Sequence, residues 1–139
     1  MAPSSRQSLG KHLGRALRRR CLHCGEGQVF TGWWGMRDHC PNCGHKFERE
    51  PGYWVGAVIF NTALVIAAIF ATMAIFLAAT WPDVPWTALT LVTVAVSVIV
   101  PSIGYPYART LWMAYDLYVH PLEESELEAG KARVRQTNG

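Results

Sequence analysis

Two long stretches of this chain contain no Asp, Glu, Lys or Arg: Pro51 to Pro82, and Val84 to Ala108. Only Asp83 separates them. In a chain of 139 residues, 17% of them charged, gaps of that length exclude an ordinary water-facing surface for either stretch. A helix needs about 20 apolar residues to cross a bilayer, and both stretches exceed that. Two transmembrane helices are expected, over about 53–79 and 85–107. The competing reading, a buried core helix, would need far more chain around it than the roughly 50 residues that precede the first stretch.

Other absences sharpen the picture. The turn between the stretches, TWPDVPWT, has no basic residue. Nine of the 13 Lys and Arg precede the first span (Arg6, Lys11, Arg15, Arg18, Arg19, Arg20, Arg37, Lys46, Arg49) and four follow the second (Arg109, Lys131, Arg133, Arg135). Basic residues stay on the cytoplasmic side, so both termini are expected there, in a multi-pass membrane protein. The net charge of +3 then signals topology rather than nucleic-acid affinity. Met1–Arg20 has no apolar run and no acid, so a secretory signal is not expected. A mitochondrial transit peptide has the same composition, but positive-inside topology accounts for those arginines unaided. Nowhere is there a nucleophile–base pair, a phosphate-cradling loop or a pair of intramembrane carboxylates, so no enzyme is expected.

Four regions follow. Residues 1–20 are a basic N-terminal segment in which Leu9, Leu13 and Leu17 recur every four residues; this suits a short helix lying on anionic lipid or a solvated tail. Residues 21–50 hold every cysteine, with short strands expected near Gln28–Thr31 and Lys46–Glu48. Residues 51–120 form the two-span hairpin and an interfacial helix end, RTLWMAYDLYVHP. Residues 121–139 lack aromatics and are expected to be a flexible tail. Within span one, Gly56, Ala63, Ala67, Ala71, Ala74 and Ala78 fall on one stripe, which should pack against span two or a partner. Pro101 and Pro106 in span two strip the Ser97 and Ser102 carbonyls of their backbone donors. Asn61, the only amide in either span, is expected to face that break. Trp54, Trp81 and Trp86 stand where interfacial aromatics belong.

The cysteines form two knuckles, Cys21-Leu22-His23-Cys24-Gly25 and Cys40-Pro41-Asn42-Cys43-Gly44, separated by 15 residues. Paired thiolates two residues apart, each pair followed by a glycine that tolerates positive φ, supply four ligands for tetrahedral zinc. Cys21, Cys24, Cys40 and Cys43 are therefore the expected ligands of a structural zinc ion. A CxxC redox relay fits poorly in a reducing cytoplasm. Rubredoxin-type iron uses similar knuckles with a longer gap, and c-type haem needs His where Gly25 and Gly44 stand. His23, His39 and His45 are read as surface residues rather than replacement ligands. So small a segment cannot fold by burial alone and needs such a staple. Trp33 and Trp34, on the loop between knuckles, are more aromatic surface than it can bury.

These motifs, with Val29-Phe30-Thr31-Gly32, Phe47-Glu48-Arg49-Glu50 and Gly52-Tyr53-Trp54-Val55-Gly56-Ala57, resemble a family of small bacterial membrane proteins catalogued as a domain of unknown function. The likeness covers about residues 18–120; many members have Pro at the position of Leu22. It implies an α-helical membrane protein, a two-helix transmembrane hairpin bearing a small N-terminal β zinc ribbon, and it implies no activity. The residues favour a non-enzymatic protein whose ribbon docks a protein partner through Trp33 and Trp34, as an accessory or assembly subunit of a larger membrane complex. A membrane-anchored zinc or thiol-redox sensor is the alternative, and ribbon-mediated nucleic-acid binding a third.

Overall fold

A computed structural model describes residues 8–139, and the chain over those residues is mostly helical. The two charge-free stretches form its long helices. Nothing in them breaks a helix except the turn around Trp81–Pro85. Helix α2 spans Val55–Thr80 and helix α3 spans Trp86–Val119. At 1.5 Å per residue, each of these helices of 26 and 34 residues exceeds a hydrocarbon core of about 30 Å. Both are long and apolar enough to cross a membrane, and the most apolar window of α2 has no buried residue. Their hydroxyls are satisfied locally: Thr62, Thr72, Thr80, Thr90, Thr93, Ser97 and Ser102 each donate to the carbonyl four residues earlier. That removes the cost of carrying polar groups in an apolar helix.

The helices run antiparallel and pack directly on each other. Gly56 is required there, since a Cβ would enter the Trp112 ring. Gly104 likewise admits Asn61, whose Nδ2 donates to the Pro101 carbonyl at 3.5 Å. Pro101 and Pro106 lie inside α3 without ending it. The small-residue stripe, however, does not line this interface: Ala67, Ala71, Ala74 and Ala78 are exposed. The half-covered positions of α2 are instead Asn61, Val65, Ala68, Ile69, Thr72, Phe76, Leu77 and Thr80. The interface needs two glycines and one amide toward the end that carries the cysteine module; beyond that, medium-sized side chains meet.

Past Tyr107 α3 leaves the apolar window and becomes a scaffold. Ala108, Thr110, Met113, Ala114 and Leu117 are buried along it. Against this segment sits the cysteine module, whose core joins Leu22, Val29, Phe30 and Phe47 to Ala16, Met113, Ala114 and Leu117. Each large side chain among them is worth about 1.5–3 kcal/mol when buried, so the module leans on Met113 and Leu117 of α3 to complete its core.

The expected β ribbon is not there as strands. Among the described residues the module has only isolated antiparallel bridges: Arg20 with Gln28, Phe30 with Met36, and His39 with Lys46. Each pairing is broken after one residue by a knuckle turn or by the loop at Gly32–Gly35, so no ladder propagates. Two helices flank it. Helix α1, Leu9–Leu17, buries His12 and Ala16 against the module and α3. The flexible tail expected over 121–139 is corrected to helix α4, Glu124–Asn138. It opens with a capping box between Glu123 and Glu126, two orphan amides being satisfied reciprocally.

Candidate metal centre

Each knuckle is a tight turn closed by backbone: the Gly25 amide donates to Cys21 O at 2.8 Å and the Gly44 amide to Cys40 O at 2.9 Å. Both glycines adopt positive φ, +78° and +70°, a region costly for any side chain. A further pair of bonds squares the knuckles, Cys21 N to Gly27 O at 2.7 Å and Cys40 N to His45 O at 2.9 Å. Gly27 is needed for a different reason: a Cβ there would enter the Cys40 sulfur.

The four sulfurs converge. All lie within 4.8 Å of one another, with Cys21 Sγ–Cys43 Sγ and Cys24 Sγ–Cys40 Sγ each at 3.7 Å. A tetrahedral site with metal–sulfur bonds of about 2.3 Å has edges of about 3.8 Å. The sulfurs thus already occupy the corners that a metal ion demands, and none is paired in a disulfide. Cys21 and Cys40 are buried, Cys24 and Cys43 half-buried. The geometry fits a metal ion held by four thiolates.

Electrostatics make the same point. Left to themselves, four thiols this close cannot ionise together. Cys43 falls to about 3, chiefly because Cys21 donates to it, while Cys21 is pushed up by that same bond and by burial. Burial lifts Cys40 to about 11. Burial also raises Cys24, but the Gly27 and Glu26 amides outweigh it and bring that thiol down. Backbone amides aimed at sulfur are the donors a thiolate–metal centre requires, and a divalent cation would remove the repulsion that splits the set.

The surroundings lock the centre in place. Arg15 Nη1 donates to Leu22 O at 2.7 Å and His23 O at 3.0 Å, tying α1 to the first knuckle. Gly130 of α4 packs on the second knuckle so closely that a Cβ at Gly44 would strike its carbonyl, and Arg133 Nη1 donates to Gly44 O at 3.1 Å. Arg49 then bonds three elements at once: Asp116 of α3 at 3.0 Å, Glu126 of α4 at 2.9 and 3.0 Å, and the His120 carbonyl at 3.0 Å. Burial alone would lower the Arg49 guanidinium, but the Glu126 and Asp116 carboxylates hold it above its ordinary value. His45 is buried beside Phe47 and its imidazole falls to about 4, chiefly by desolvation. His39 is exposed, and no histidine joins the sulfur cluster.

Trp33 and Trp34 are not on the metal. The loop that carries them lies along α3. Trp33 Nε1 donates to the Ser102 carbonyl at 3.0 Å, the group that Pro106 deprives of its helical donor. Its ring meets Tyr107 edge-on, and the Arg19 guanidinium stacks over it at 4.9 Å. Trp34 contacts Tyr105 with ring centroids 5.2 Å apart yet stays 59% exposed. Arg109 lies 4.7 Å over Trp54 and 4.6 Å over Tyr105. Asn61, expected to face α3 near Ser97–Ser102, does so and reaches the Pro101 carbonyl; that Ser102 takes its donor from Trp33 was not foreseen. Sequence reasoning also missed Arg49, Asp116 and Glu126, whose only signal was three ordinary charges flanking an apolar segment.

The family described as "Protein of unknown function (DUF983)" matches residues 30–116, and the chain belongs to that family. The matched region takes in the second knuckle, the tryptophan loop and both long helices through Asp116. No curated protein and no solved structure matches the chain.

Proposed function

We propose that this chain is a non-enzymatic integral membrane protein whose four-cysteine module holds structural zinc and presents a rigid cytoplasmic docking surface to a partner protein. The observation that carries this reading is the closure of the site. Four thiolates fill a tetrahedron, leaving no open position for substrate or water. The module is also fastened to α1, α3 and α4 through Arg15, Arg49 and Arg133. A closed metal centre clamped from three sides is suited to holding shape. In this reading the hairpin crosses the bacterial cytoplasmic membrane with both termini inside, and the small antiparallel bridges stand in for a fuller zinc ribbon.

Trp34 is the favoured docking residue, because Trp33 is already committed to Ser102 while Trp34 leaves most of its ring free. Exposed tryptophan beside a rigid scaffold is the usual anchor of a protein interface. The partner is expected to be a larger membrane complex with this chain as accessory or assembly subunit. The test is extraction of the tagged protein from its host in mild detergent, followed by metal analysis and identification of co-purifying proteins. A stoichiometric membrane partner that is lost in Trp34→Ala, with zinc retained, is the expected result; an unchanged partner set in that variant would refute the docking role.

A further inference from the structure

Helix α1 is fixed in place, and its fixed position turns a leucine stripe and a cluster of basic residues outward. The buried face is His12 and Ala16. A left-handed residue, Arg19 at φ 54°, ends the helix in a paired turn: Arg19 N bonds Ala16 O and Arg20 N bonds Arg15 O, both at 3.0 Å. A non-glycine residue in that conformation costs about 1 kcal/mol or more. Here it directs the Arg19 guanidinium over Trp33, whose indole is bonded to Ser102. Ser102 lies inside the charge-free stretch of α3. The C-terminal end of α1 is therefore held at the depth where that helix enters the apolar layer.

At that depth the leucine stripe faces outward. Leu9, Leu13 and Leu17 are 43%, 42% and 56% exposed, although a soluble helix would turn such a stripe to its core. Around the helix from them lies a cavity of about 400 Å³ lined by Lys11, Arg15, Arg18 and Arg20 together with Gly25 and Glu26. Lys11, Arg18 and Arg20 are exposed and form no ion pair with any carboxylate among the described residues.

We infer that α1 is a membrane-surface element that seats anionic lipid: the leucines enter the acyl boundary, and the Lys11–Arg18–Arg20 cavity holds the phosphate of an anionic headgroup. Charge complementarity and continuity with the membrane-crossing helices select this occupant over a soluble one. Clustered Lys and Arg beside a membrane span attract anionic lipid in this way. The inference stands apart from partner docking, since it uses neither Trp34 nor the outer face of the module.

The test uses the full chain in nanodiscs of phosphatidylcholine alone or mixed with phosphatidylglycerol. Hydrogen exchange over residues 9–20 and native-mass-spectrometric counts of retained lipid are read, with metal content as the folding control. Slower exchange only in the phosphatidylglycerol discs, and retained phosphatidylglycerol, are expected. Lys11→Gln/Arg18→Gln/Arg20→Gln should cut that retention about tenfold or more at unchanged metal content. Leu9→Ser/Leu13→Ser/Leu17→Ser should abolish the exchange protection while leaving metal intact. Equal protection in both discs would overturn the inference. So would displacement of the lipid by millimolar inorganic phosphate, or an RNA oligonucleotide bound at the same three residues in preference to phosphatidylglycerol.

Discussion

The cysteine module and the helix pair hold their shapes by opposite means. In α2 and α3 the backbone satisfies itself, the hydroxyls bond back to their own helix, and the outward side chains ask for lipid. Between Cys21 and Glu50 there is neither helix nor strand. Shape there comes from four sulfurs, a handful of buried apolar side chains, two arginines reaching in (Arg15 and Arg133) and one, Arg49, reaching out. The helix pair is stable wherever it is surrounded by hydrocarbon. The module has no such self-supporting scaffold and leans on its sulfur cluster and its clamps. What joins them is α3, long and apolar enough to cross a membrane up to about Tyr107 and packed against the cysteine module beyond it.

The largest break in this comparison should come from the metal. Structural zinc contributes about 10–16 kcal/mol to modules of this kind, more than the rest of the module can replace. Chelation, or Cys→Ser at any of Cys21, Cys24, Cys40 or Cys43, should unfold residues 18–50, seen as loss of exchange protection there. Helical circular dichroism from α2 and α3 should persist.

Next is the clamp. Arg49→Ala leaves Asp116 and Glu126, 14% and 33% exposed, without their counter-charge, a loss of about 1–3 kcal/mol at that degree of burial. Helix α4 should detach, and limited proteolysis between 119 and 139 should accelerate while metal content holds. Gly44→Ala attacks the same contact from the other side. It forces a side chain into positive φ and into the Gly130 carbonyl, so it should weaken both metal retention and α4 docking by more than about 1 kcal/mol. The smallest effect is the most informative about the join. Trp33→Phe keeps an aromatic ring but removes the indole N–H along with the pyrrole half of the ring system, leaving the Ser102 carbonyl without its donor. A cost of about 1 kcal/mol is expected, read as faster exchange around Ser102–Pro106 with the module's own core unaffected.

Legibility in the sequence divided along the same line. The apolar stretches are long and free of charge, so hydropathy alone located both long helices, and cysteine spacing located the metal cluster. The clamps were not legible. Arg49, Asp116 and Glu126 are far apart in the chain and ordinary in composition; only the fold brings them within 3.0 Å. The tail read as flexible because it has no aromatics and little apolar content. Its helix is held by a glycine-to-glycine contact and two arginines, none of which is a periodic signal. The alanine stripe, expected to pack on span two or on a partner, is exposed and does not pack on span two. Small residues at helical spacing permit close packing without specifying which neighbour takes it up. Strands were expected at Gln28–Thr31, a short run between Gly27 and Gly32, and at Lys46–Glu48; Val29 and Phe47 are buried there, but in a core shared with α1 and α3 rather than in a sheet.

The most direct test of the central claim is the metal itself: metal per chain, with X-ray absorption of the protein purified in mild detergent. The account predicts one zinc per chain in a shell of four sulfurs at about 2.3 Å. A chain without metal and with Cys21, Cys24, Cys40 and Cys43 paired as disulfides, or zinc in a shell containing nitrogen or oxygen, would contradict it.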